Sequence, residues 1–188
     1  MPKFIALPGS RKMIVINDDG SMMMPYRYRP GYHRSVPGDY MSPVFTYIEH
    51  HNRKSWHWSM DDVWRMIKAK PDDYPLHLFT TTEDNFNHVR LNNGIEFEHF
   101  ERLRAMPGRM DEPGIMLIWR AKFNEDGQFN GSGTLIDGNH RLVLRYIEGK
   151  RDMQCHCITE AQAKYAELEI PWALIEDGMF DHIPPATK

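Results

Sequence analysis

The sequence predicts a mixed α+β fold, a compact α/β or α+β domain in its second half, with an N-terminal β-rich extension. Three observations lead there. Short β-rich runs separated by Asp/Gly and Pro/Gly turn signals dominate the first 50 residues. Helical stretches with their own start and stop residues follow from Ser59 onward. From residue 115, strand, turn and helix signals alternate closely enough to belong to one domain.

The elements follow in order. Lys12 to Ile16 is a β-rich run ending in Asn17-Asp18-Asp19-Gly20, a hairpin turn signal, with a return strand through Met22 to Tyr28. Pro30 to Pro43 is rich in Pro, Gly and Tyr and reads as irregular; Val44 to His50 is another strand. Ser59 is an N-cap for a helix to about Lys70, with Asp61 and Asp62 in its first turn and Pro71 as its stop. Leu76 to Thr81 reads as a strand, Glu83 to about Leu91 as a helix closed by Asn92-Asn93-Gly94. Ile95 to Met106 is a clearer helix, with Phe97, Phe100 and Leu103 as its core stripe. Ile115 to Phe123 is the strongest strand, Glu125-Asp126-Gly127 a turn, and Gly133 to Ile136 a second strand. Asn139 to Ile147 is a helix with Leu142, Val143 and Tyr146 on one face and Gly149 as its C-terminal stop. Met153 to Ile158 is a strand, and Thr159 caps a last helix to about Leu168. A helix between the strands before Asp137 and after Gly149 allows a βαβ crossover. The division expected is an extension over 1–70, a compact domain over 71–170 and a tail over 171–188.

Composition sets limits. An apolar fraction of 41% and an aromatic fraction of 12% in 188 residues suit a globular chain and argue against disorder. No apolar run approaches the roughly 18 residues of a membrane span, so no membrane partner is expected. Phe4 to Leu7 is too short for the apolar region of a signal peptide. Cys155 and Cys157, two apart in a strand, point to one face and lack disulfide geometry; a reducing compartment, the cytoplasm, is expected. Net charge is −3 but uneven: residues 1–70 hold 11 Lys/Arg against 6 Asp/Glu, and residues 71–188 hold 12 against 20. Either the basic part meets an anionic partner or the two parts attract each other.

The chemistry concentrates in Leu135-Ile136-Asp137-Gly138-Asn139-His140-Arg141. A strand delivers the chain to Asp137, and Gly138 permits a tight turn. A helix starting at Asn139 or His140 presents unpaired N–H groups and the positive end of its dipole, where an anion is stabilised. His140 and Arg141 add side-chain donors, and an Arg can grip two oxygens of one phosphate. Asp137 can cap the helix or orient His140 or Arg141.

The segment Gly133 to Leu142, followed by Gly149 and the strand Met153 to Ile158, resembles the phosphate-binding segment of the ParB/sulfiredoxin superfamily. Upstream, Ile95 to Gly108 followed by Ile115 to Phe123 is similar to that family's helix and strand. The resemblance covers about residues 74 to 160 and implies a ParB/sulfiredoxin-like domain. The family includes CTP-binding partition proteins, ATP-using sulfiredoxins, free-serine kinases and members described as nucleases. By this resemblance His140 and Arg141 bind phosphate with the N–H groups of Gly138 and Asn139, and ATP or CTP with Mg²⁺ is the ligand. The kinase-like members use an acid to activate the acceptor hydroxyl; Glu83 or Asp84 stands in that place. Two departures narrow the reading. Asn139 occupies the position of the sulfiredoxin cysteine, which argues against reductase chemistry. His140-Arg141 replaces the double Arg of partition proteins, and no helix-turn-helix reader follows.

Tyr26 to Arg34 interleaves aromatic and cationic residues, as single-stranded nucleic acid requires; Arg27, Arg29 and Arg34 are candidate contacts, or a hairpin edge where Arg stems cover Tyr rings. Trp56, His57, Trp58 and Trp64 form either a base-stacking platform or core. Met22-Met23-Met24 reads as packing material. No metal site is expected: His50-His51, His57 and Cys155-His156-Cys157 lack zinc-ligand spacing. The leading expectation is a nucleotide-dependent phosphotransferase or NTPase. The second is a DNA- or RNA-binding protein or nuclease gripping a backbone phosphate with the same turn. The third is a non-catalytic interaction protein on the same fold.

Overall fold

The computed structural model describes residues 3–6, 13–18, 22–25, 41–49, 53–93, 95–106, 108–119, 132–170 and 172–174. The fold is mixed α+β, with two sheets. The chain divides into two compact units, one made of Met1–Arg65 with Tyr165–Lys188 and the other of Met66–Lys164. The boundaries therefore fall inside a helix and inside a short turn, and the last residues belong with the first unit.

The first unit is built on an antiparallel meander of β1 (Lys3–Ala6), β2 (Met13–Ile16), β3 (Met22–Pro25), β4 (Met41–Glu49) and β5 (Lys54–Ser59). Ile5 pairs with Ile14, Ile16 with Met22, and Met22 with Val44, so one face collects the apolar side chains. Ile14, Ile16, Met22 and Val44 are buried there together with Leu168. β1 and β5 had no strand reading in the sequence. In β5 the Trp-His-Trp run is strand packing: Phe45 lies across from Trp58 and Tyr47 across from Trp56, with ring centroids 6.1 and 5.8 Å apart. Such cross-strand aromatic pairs stabilise a sheet by about 0.2–1 kcal/mol each.

α1 (Met60–Ala69) starts at Ser59, whose Oγ accepts from the Asp62 N–H at 3.4 Å, and a 3-10 turn over Pro71–Asp73 follows it. α5 (Glu160–Ala163) starts as expected, with a Thr159/Gln162 capping box, and a 3-10 turn over Lys164–Ala166 carries the helical run to within two residues of the expected end. From Glu167 the chain pairs with β5: Glu167 bridges Trp58, and the Leu168 N–H donates to the His57 carbonyl at 2.7 Å. A short turn of helix, α6 (Trp172–Leu174), closes the described chain.

The second unit holds β6 (Leu76–Thr80), β7 (Gly114–Trp119), β8 (Ser132–Asp137) and β9 (Asp152–Thr159) in the order β6-β9-β7-β8. β7 runs parallel to β9 and antiparallel to β8. The strands flanking α4 (Asn139–Ile147) are thus antiparallel and separated by β7, so the expected βαβ crossover is not formed. β7 continues by an antiparallel partner first, and only β9 restores its direction.

α2 (Glu83–Asn92), α3 (Glu98–Arg104) and α4 share one core with the sheet: Val89, Phe100, Leu103, Leu142, Val143 and Leu144 meet Leu135, Met153 and Cys155. Burying a Leu or Val contributes about 1.5–3 kcal/mol, so this cluster fixes α4 on the sheet. Tyr146 is only half-buried, stacked on Phe86 at 4.2 Å with the Arg151 guanidinium 3.5 Å over its ring. α3 begins three residues later than its apolar pattern suggests. Phe97 is not core: it is 61% exposed, set edge-on to Phe100, while Ile95 packs against the core from outside the helix.

His57 is buried and its pKa is lowered to about 4 by loss of solvation, with Thr46 Oγ1 3.0 Å from its Nδ1. In the unfolded chain a His titrates near 6.5. Between these two values the unfolded state binds more protons, so stability present above pH 6.5 falls as pH drops through this window. The expected loss by pH 4 is roughly 3 kcal/mol. Urea unfolding at pH 7 and pH 4.5 should show it, and His57→Gln should flatten the difference; an unchanged pH dependence in that variant places its origin elsewhere.

Candidate functional site

The turn between β8 and α4 is built by two glycines. Gly138 is in the left-handed region, φ 96°, ψ 9°. A Cβ there would lie 3.2 Å from the Gly114 Cα and 3.2 Å from Arg141 Nη2. A Cβ on Gly114 would lie 2.8 Å from the Asp137 carbonyl oxygen, closer than real contacts allow. So β7 and the turn pass one another at glycine–glycine distance.

α4 takes its first helical hydrogen bond at Leu142, whose N–H donates to the Gly138 carbonyl at 2.8 Å. The N–H groups of Asn139, His140 and Arg141 precede it and have no helical acceptor. The Gly138 N–H, expected to serve phosphate, instead donates to Asp137 Oδ1 at 2.7 Å. The donors available to an anion are therefore shifted one residue along the chain.

Arg141 is buried, not solvated. Its Nη1 donates to Glu112 Oε2 at 3.1 Å and its Nη2 to the Pro113 carbonyl at 3.1 Å. Asp137 Oδ2 lies 3.6 Å from Nη2. Glu112 Oε2 also accepts from Arg109 Nη1 at 3.2 Å. The guanidinium thus underlies the turn and fastens it to the segment before β7. The guanidinium is thereby engaged and offers no open two-pronged grip.

His140 is partly buried. Its Nε2 accepts from the Glu96 N–H at 3.2 Å, which leaves Nδ1 as the protonated nitrogen. Burial first, then the neighbouring His99, lowers its pKa, against the raising influence of Glu96 and Asp137. The His99 ring is 4.7 Å from the His140 ring, and His99 Nδ1 is 3.5 Å from Glu96 Oε2. Asn139 Oδ1 accepts from Asn93 Nδ2 at 2.9 Å, which ties the end of α2 to the start of α4. Together Asn93, His99, Arg109, Asp137, Asn139 and His140 line a cleft of about 190 Å³.

Glu83 and Asp84 are not brought to this cleft. They are exposed in the first turn of α2, after the Thr82/Asn85 capping box, where carboxylates stabilise a helix dipole. Asn93 follows the opposite end of the same helix, roughly 15 Å away at 1.5 Å per residue. Arg27, Arg29 and Arg34, with His50 and His51, lie outside the described residues. Among the described residues no three His, Cys, Asp or Glu side chains group to hold a metal. Cys155 and Cys157 are free thiols, and burial pushes Cys155 up to about 12. His156 Nδ1 sits 2.8 Å from the Tyr74 carbonyl. No helix among the described residues is long and apolar enough to cross a membrane. Asn93, Glu96, His99, Arg109 and Glu112 were not legible as site residues; His99 and Glu96 lie in the segment that reads as plain helix.

Comparison with protein-family models, with curated proteins and with solved structures finds no match to this chain.

Two substitutions test this construction. Gly138→Ala should destabilise the protein by about 1–3 kcal/mol through its left-handed backbone and the Gly114 contact. Arg141→Ala should also cost stability, about 1–3 kcal/mol, because it leaves the Pro113 carbonyl without its partner and Glu112 with Arg109 alone. Chemical unfolding measures both, and wild-type stability in either variant contradicts the geometry.

Proposed function

We propose that this chain binds the phosphates of a nucleotide, ATP or CTP with Mg²⁺, at the start of α4, and acts as a phosphotransferase or NTPase of the ParB/sulfiredoxin type. The observation that carries the reading is the run of three N–H groups, Asn139 to Arg141, at a helix start that borders a cleft. At about 190 Å³ the cleft is smaller than the 300–1,000 Å³ or so of sites that enclose a whole small molecule. It suits phosphoryl groups, with the nucleoside lying outside.

Charge supports a metal-complexed ligand. Arg109 and Arg141 are met by Glu112 and Asp137, so the cleft alone offers a polyphosphate little net positive charge. Mg²⁺ takes oxygen ligands and keeps several waters. Asp137, about one-third exposed, is the one carboxylate lining the cleft among the described residues and would hold the ion beside phosphate oxygens. The ion would supply charge neutralisation for the phosphates.

Calorimetry with ATP, CTP and GTP tests the reading. Binding should be measurable below millimolar concentration with Mg²⁺ and weaken without it. His140→Ala should weaken it about five- to tenfold, the value of one hydrogen bond. Absence of binding to all three at millimolar concentration removes the reading. A salt-sensitive gel shift with DNA or RNA in that case would favour a nucleic-acid phosphate in the same turn.

A further inference from the structure

We propose that His99, oriented by Glu96, takes the proton from the hydroxyl-bearing molecule or water that attacks the terminal phosphorus of the bound nucleotide. This rests on the nucleotide reading above and supplies the proton acceptor that Glu83 and Asp84 are too distant to provide.

The assignment comes from elimination among the groups that border the cleft. Asp137 accepts from the Gly138 N–H, lies beside Arg141 and, in the reading above, holds the metal ion. Glu112 holds both Arg109 and Arg141. His140 receives the Glu96 N–H on Nε2, so its other nitrogen carries a proton and can only donate. His99 is different. Its Nδ1 faces the Glu96 carboxylate at 3.5 Å, and its side chain is 44% exposed at the cleft. With Nδ1–H directed to the carboxylate, Nε2 keeps a lone pair for an incoming proton. A histidine positioned by a carboxylate is a competent general base, and such contacts are often long before substrate is bound. The adjacent pair then divides the work: His140 donates to phosphate and His99 accepts from the nucleophile.

The step balances. The acceptor oxygen forms a bond to the terminal phosphorus while the bond from that phosphorus to the bridging oxygen breaks. The bond electrons leave with the nucleoside diphosphate, and the acceptor proton moves to His99 Nε2, giving an imidazolium beside Glu96. The charged or titratable groups around His99 are Glu96 ahead of α3, His140 on α4, Asp137 at the end of β8 and Arg109 beyond α3.

The full chain is tested with Mg·ATP and Mg·CTP, by calorimetry first and then for phosphate release in water and for transfer to glycerol. His99→Gln should leave nucleotide affinity within about threefold and lower turnover by about 10²–10⁴-fold, with loss of the acid limb of the pH profile. Glu96→Gln keeps the backbone N–H that holds His140, so it should lower turnover about tenfold and retain that limb. As a readout independent of turnover, diethyl pyrocarbonate should modify His99 in the protein alone, read by mass spectrometry, and bound nucleotide should protect it. Absence of nucleotide binding defeats the phosphate reading and this inference with it. Binding without turnover in either arm, His99→Gln turning over at the wild-type rate, or unprotected His99 overturns the inference and leaves the binding reading standing.

Discussion

The left-handed backbone at Gly138 is the constraint on which the second unit depends. It ends β8 and begins α4 within one residue, and it lets the chain pass Gly114 at a distance only glycines permit. Arg141 then fits beneath the turn and fastens it through Glu112 and the Pro113 carbonyl. Arg145 repeats the device one turn later, donating to the Asp152 and Met110 carbonyls. α4 is therefore held at both ends by buried or half-buried guanidinium groups as well as by Leu142, Val143 and Leu144.

This fixing has a functional consequence. An anion site made from backbone N–H groups is useful only if those groups are held in place, since reorganisation would consume the interaction. Here the helix start is rigidly seated, and the groups around it differ in availability. Arg141, Glu112 and the Gly138 N–H are engaged in maintaining the turn. Asn139, His140 and His99 line the cleft, and the N–H groups of Asn139, His140 and Arg141 precede the first helical hydrogen bond of α4.

Much of the second unit was legible in the sequence because its signals are local. The limits of α4 follow from Asp137-Gly138 at one end and Gly149 at the other, whose φ of 80° is the left-handed stop. Ser59 and Thr159 accept from the expected N–H groups of the helices they start, α1 and α5. What failed was non-local. The strand order β6-β9-β7-β8 depends on pairing between residues some 40 apart in β7 and β9 and some 70 to 80 apart in β6 and β9, which no local pattern encodes. The pairing of Glu167 and Leu168 with β5, over a hundred residues upstream, was equally invisible. The burial of Arg141 was not foreseen for the same reason: its ion-pair partner Glu112 is 29 residues away and invisible to a motif. His99 and Glu96 reach the turn only because α3 packs beside α4.

The central claim is that the start of α4 holds phosphate through its backbone. Titration of ¹⁵N-labelled protein with inorganic phosphate, followed by amide NMR, tests it most directly. The account predicts saturable shifts centred on the amides of Asn139, His140 and Arg141, with Glu83 and Asp84 unmoved. Shifts scattered over the surface, or a silent Asn139 to Arg141 segment at saturating phosphate, would contradict it.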